Sequence, residues 1–167
     1  MEYGANYIVR AETWLFITTL VYFLMNGAQI FETAVIVPKW TASPPESFQL
    51  LGGRYGLNLK TFWIVVHTIH EITFVVALIF CWKIMPIRNW LLLLFFLHMA
   101  VRAWTLMYFA PNIMTFQDVA NGAASETDLL DRANLWRTLN YIRVSIFILI
   151  SCGLIPLCIS IINMKTR

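Results

Sequence analysis

The segment Val66-His67-Thr68-Ile69-His70-Glu71 places two imidazoles and a carboxylate three and four positions apart, so in a helix they share one face. The apolar run around them, Leu59 to Trp82, is long enough to cross a bilayer. Ionisable groups in such a run are costly and rare without a partner or a role. A third imidazole, His98, stands in the next apolar run with Arg102 and Thr105 at four- and three-residue steps. The first run contributes Asn26, Gln29, Glu32 and Thr33. The last contributes Asn140 and Arg143, on one face with Trp136.

These residue types admit three chemistries. His67, His70 and His98, completed by Glu32 or Glu71, form a transition-metal set, since imidazole suits zinc, copper and iron and a carboxylate supplies a hard oxygen. Their spacing is neither the H-E-x-x-H of zincins nor the Glu-x-x-His of ferritin-like bundles. His70 and His98 could instead ligate a b-type haem from facing helices, with Arg102 and Arg143 on its propionates. A third reading needs no cofactor. His67, His70, Glu71 and His98 act as general acid and base on a phenolic or keto substrate, while Glu32, Arg102, Trp136, Asn140 and Arg143 bind it and hold the developing anion.

Four apolar spans must position these groups: about 13–37, 59–82, 89–110 and 136–162. Pro38 and Pro111 are expected to end the first and third. The link 83–88 is so short that the second and third spans must form an antiparallel hairpin. Residues 39–58, with Ser43-Pro44-Pro45 and Gly52-Gly53, read as a loop with a short turn near Phe48-Leu51. Residues 111–131 read as a second loop turning at Asn121-Gly122. Ser125-Glu126-Thr127-Asp128 has the capping hydroxyl and first-turn acids of a helix start, and Gly153 and Pro156 are expected to loosen the fourth helix. At 1.5 Å per residue the polar groups of all four spans lie at a common depth, about 6–18 Å from the end bearing the two long loops. The expected fold is all-α: one transmembrane domain over 1–167, an up-down four-helix bundle with an internal polar pocket.

Composition agrees. The 167 residues are 59% hydrophobic and only 13% charged, against about 45–50% and 25% in soluble domains. The formal charge of +3 gives no basic stripe for nucleic acid, and no low-complexity segment or internal repeat stands out. Cys81, Cys152 and Cys158 all lie in apolar runs without a C-x-x-C pair, which disfavours a thiol oxidoreductase. Trp14, Trp40, Trp63, Trp82, Trp90 and Trp104 fall mostly near span ends, as in an interfacial belt.

Two stretches carry a family resemblance. Phe31-Glu32-Thr33-Ala34-Val35-Ile36-Val37-Pro38-Lys39-Trp40 resembles the exit of the first helix in anthrone-oxygenase-like small membrane proteins. Trp136-Arg137-Thr138-Leu139-Asn140-Tyr141-Ile142-Arg143 is similar to that family's Trp-x3-Asn-x2-Arg at the start of the fourth. The resemblance implies a four-helix membrane fold, cofactor-independent oxygenation of a polyphenolic anthrone, and an active pocket containing Trp136, Asn140 and Arg143. The His and Glu residues of the second span are not part of that pattern.

The expected function is an oxidoreductase or oxygenase acting on a small lipophilic, aromatic or quinone-like molecule, with a metal, a haem or no cofactor. The alternative is a non-enzymatic electron-transfer module, or an accessory subunit of a homo-oligomer or larger complex. The short link bearing Lys83 and Arg88 is dense in positive charge, which puts it and both termini on the cytoplasmic side. Compartment-specific reporters fused at Met1 and at Arg167 should be active only inside the cell. Activity only outside would reverse the orientation.

Overall fold

The computed structural model of the chain describes residues 4–52, 56–57, 59–123 and 127–165. These are helical, with no strand among them. Helix α1 spans Ala5–Phe31 and passes through a π-helical turn, Glu32–Ile36, into the short α2, Val37–Trp40. A 3-10 turn follows at Glu46–Leu50, then α3, Lys60–Phe80, and α4, Met85–Trp104. A second π turn, Thr105–Phe109, leads into α5, Ala110–Ala120, and α6 spans Leu129–Lys165. The chain thus holds four helices long and apolar enough to cross a membrane: Asn6–Trp40, Lys60–Phe80, Met85–Ala120 and Leu129–Lys165.

Neither Pro38 nor Pro111 ends its helix. A proline ring collides with the carbonyl four residues back and offers no N–H. For Pro38 that carbonyl belongs to Ala34, and for Pro111 to Met107; each is the third residue of a π turn. Widening the turn moves the carbonyl aside. The backbone N–H of Val37 bonds instead to Glu32 O, and that of Ala110 to Thr105 O. The first span therefore runs on to Trp40. About half of the expected second loop is α5, and the turn proper is Asn121-Gly122, where Gly122 takes φ +71°. The expected cap residues Ser125 and Glu126 lie outside the described residues. Helix α6 starts at Leu129, after Asp128 at φ 57°, with Asp131 in its first turn. At about 1.5 Å per residue its 37 residues exceed the ~30 Å hydrocarbon thickness.

The chain divides into two compact units. One comprises Met1–Asn26, Trp63–Met99 and Phe147–Arg167, the other Gly27–Phe62 and Ala100–Ile146. In the first, Trp14 stacks on Phe80, the Thr18 hydroxyl donates to Thr73 O at 2.8 Å, and Lys165 pairs with Glu12 at 2.7 Å. The second is built on an aromatic core of Trp40, Phe48, Phe109, Phe116 and Trp136. Trp40 is therefore a core residue rather than part of an interfacial belt. The 3-10 turn and α5 tie together there: Gln49 Nε2 donates to Ala120 O and Gln117 Nε2 to Leu51 O. Cys81 and Cys158 are buried, Cys152 is exposed, and all three are free thiols.

Gly153 does not interrupt α6, and neither does Pro156. A Cβ at Gly153 would lie 3.0 Å from Leu94 Cδ2, and Gly153 O accepts from Trp90 Nε1 at 3.0 Å. The missing side chain is what lets α4 approach. Gly153→Leu should destabilise the protein in detergent unfolding by about 1–3 kcal/mol through overpacking. Leu94→Ala in the same chain should recover part of that loss, and purely additive effects would mean that the two do not share the space.

Candidate functional site

Within the first unit, α3 turns His67, His70, Thr73, Phe74, Ala77 and Leu78 inward. Steps of three and four residues keep them on one helical face, as read from the sequence for His67 and His70. His70 and His98 are completely buried and His67 nearly so, while about a third of the Glu71 side chain stays exposed. Glu71 Oε1 lies 3.9 Å from His98 Nε2, an electrostatic contact between groups expected at one level. On its other nitrogen, His98 Nδ1 lies 3.1 Å from the Tyr22 hydroxyl. A carboxylate beside Nε2 favours the tautomer with the proton there, leaving Nδ1 to accept from Tyr22.

Rings close around this line. Tyr22 stands edge-on to His70 at 4.1 Å, His70 and His98 lie 4.6 Å apart, and Phe74 and Phe147 pack on His98. His67 packs between Trp63 and Phe147. Tyr22 is the residue that sequence reasoning missed. A tyrosine in an apolar helix looks unexceptional, but Tyr22, Asn26, Gln29 and Thr33 recur at four- and three-residue steps, and all four are buried. That polar stripe was the available signal. Asn26 ties α1 to α6, its Nδ2 donating to Ser151 Oγ at 2.8 Å and to Phe147 O.

Within the second unit the structure brings Trp136, Asn140 and Arg143 onto one face of α6. Arg143 Nη2 donates to Asn140 Oδ1 at 2.7 Å, and Asn140 Nδ2 donates to Thr33 Oγ1 at 2.9 Å. The guanidinium lies over the Phe109 ring at 4.4 Å and near Trp136 at 6.0 Å, a desolvated cation–π arrangement. Trp136 Nε1 donates to Phe109 O. Both π turns therefore supply partners, Thr33 from one and Phe109 from the other. Glu32 and Arg102 also carry charges that act on Arg143; the sequence offers Glu32 or Glu71 as its counter-charge, and Glu32 is the one in this unit. Gln29 is also buried in this unit.

The metal expectation finds no support in this geometry. Among the described residues no three His, Cys, Asp or Glu side chains are placed to hold a metal ion, so His67, His70, His98 and Glu71 do not form a ligand shell. The haem expectation fares no better. Rings 4.6 Å apart, as in His70 and His98, leave no room for a porphyrin between them. The geometry does place a hydroxyl, an imidazole and a carboxylate in sequence, Tyr22, His98 and Glu71, the three groups that general acid–base chemistry combines.

No family model matches the chain, and no curated protein or solved structure does either. Arg143 offers a direct test of the second unit. Arg143→Leu should cost about 3–5 kcal/mol in detergent unfolding, as when a buried ion pair loses one member. Asn140→Ala should cost about 1–3 kcal/mol through the donors and acceptors it strands. A neutral Arg143→Leu would place the guanidinium in contact with water or headgroups.

Proposed function

We propose that the chain is a multi-pass integral membrane protein, an up-down four-helix bundle with both termini cytoplasmic. In this reading its Tyr22–His98–Glu71 line moves protons to and from a small lipophilic aromatic or quinone-like molecule, in an oxygenase or oxidoreductase-type reaction. The membrane part rests on the exterior. Leu20, Leu24, Ile64, Ile72, Ile79, Phe96, Met107 and Leu149 are each more than half exposed. Water disfavours such a surface and lipid accepts it. The chemical part rests on one observation, the Tyr22 hydroxyl 3.1 Å from His98 Nδ1 with the Glu71 carboxylate across the same ring.

In this reading the Tyr22 hydroxyl gives its proton to His98 Nδ1 as it takes one from an acidic phenol or anthrone-type C–H, and Glu71 holds the imidazolium. The electron-rich anion left behind is the species that dioxygen oxidises, so no resident cofactor is needed. The likeness to anthrone oxygenases supports this course. It leaves Glu32, Arg102, Trp136, Asn140 and Arg143 as the candidate substrate-binding set, with His67 and His70 beside the base.

A second reading, a non-enzymatic accessory subunit, is favoured by the complete burial of Tyr22, His70 and His98 among aromatic rings. Oxygen uptake by the purified protein with an anthrone or a hydroquinone separates the two. Tyr22→Phe and Glu71→Gln keep the packing and remove the proton path. Each should lower turnover by about 10²–10⁴-fold, the usual contribution of a positioned acid or base, with little change in unfolding temperature. Turnover that survives both, or absence of turnover in the parent chain, would leave the cluster as packing in an accessory subunit.

A further inference from the structure

π-Helical turns make up well under about 1% of residues, yet the described residues hold two, and they are 73 positions apart. Each is followed, after one further residue, by a proline, Pro38 or Pro111. The same offset carries Trp63 onto Trp136, Ile69 onto Ile142 and Phe74 onto Phe147. It carries His67 onto Asn140 and His70 onto Arg143. It also carries one buried face onto another. On α3, His67, His70, Phe74, Ala77 and Leu78 are buried, and so are Asn140, Arg143, Phe147, Ile150 and Ser151 on α6. Thr73 is the one buried α3 residue whose counterpart, Ile146, is only partly buried. Identities between the paired helices are few, so residue matching alone does not reveal the repetition. The shared period of π turn and proline does, together with the tryptophan and the burial pattern of α3 and α6.

We infer that the chain is a tandem duplication of a helix-pair unit, α1 to α3 followed by α4 to α6. Trp63/His67/His70 and Trp136/Asn140/Arg143 are then one ancestral polar site, present twice and specialised in two directions. Positions n, n+4 and n+7 share a helix face, so each copy presents an indole and two polar groups in the same order. In the first copy those groups are imidazoles, whose ring nitrogens can each donate or accept. In the second they are an amide and a guanidinium, which keep their protons and hold an acceptor oxygen. The division of labour rests on the function proposed above, and it gives the second copy the chemistry that holds a phenolate or enolate oxygen. The duplication itself does not depend on that function.

A helix transplant in the full-length chain tests the duplication through unfolding, without reference to turnover. Residues 63–80 are replaced by the sequence of 136–153, keeping His67 and His70, so that each position takes its counterpart 73 residues on. A control takes the sequence of 134–151 at the same positions, also keeping the two histidines, which turns the donor face by about 200°. The reciprocal pair is made in α6, keeping Asn140 and Arg143. The expected result is a single cooperative thermal transition in mild detergent for the in-register transplant in at least one direction, and its loss in the matching shifted control. Equal stability of shifted and in-register chains would overturn the duplication, as would loss of cooperativity by both in-register chains.

Discussion

A polar group removed from water must find its partner inside the protein, and in helices as apolar as these the partner has to come from another helix. That requirement organises both compact units. In the first, Asn26 reaches Ser151 and the Phe147 carbonyl, Thr18 reaches the Thr73 carbonyl, and Tyr22 reaches His98. In the second, Asn140 connects Thr33 to Arg143. Apart from the Arg143–Asn140 bond within α6, each contact joins residues far apart in the chain, so the polar stripes help to fix which helix faces meet.

The backbone obeys the same requirement. Proline removes one donor and crowds one carbonyl, and the chain answers twice with a widened turn that lets the helix continue. The consequence reaches the candidate site. Thr33 lies within one such turn and Phe109 at the end of the other, and these two residues meet Asn140, Trp136 and Arg143. An irregular turn can aim a hydroxyl or a ring at an angle the regular helix would not offer.

Much of the site was legible as one-dimensional spacing. Glu71 and His98 were expected at one level and lie 3.9 Å apart. Trp136, Asn140 and Arg143 were expected on one face and share it. Tyr22 was not legible because its chemistry comes from a single hydroxyl whose value depends on what lies opposite. The ligand reading of His67, His70, His98 and Glu71 finds no support, for a related reason. Spacing places imidazoles on a face, but ligation requires several lone pairs to converge on one point, and here the rings pack against one another and against Tyr22, Phe74 and Phe147 instead.

Hydropathy and periodicity act locally, and they were enough to determine four long apolar helices, the inward face of α3, the turn at Asn121-Gly122 and the grouping of polar residues along each span. The tertiary structure decided the rest: that Pro38 and Pro111 are passed rather than obeyed, that Trp40 is core, that Tyr22 completes a line with His98 and Glu71, and that Thr33 is the acceptor for Asn140. The 3.6-residue period sets angles within one helix. It says nothing about how far a neighbouring helix slides or rotates, and a hydrogen bond is made or lost within about an ångström of that movement.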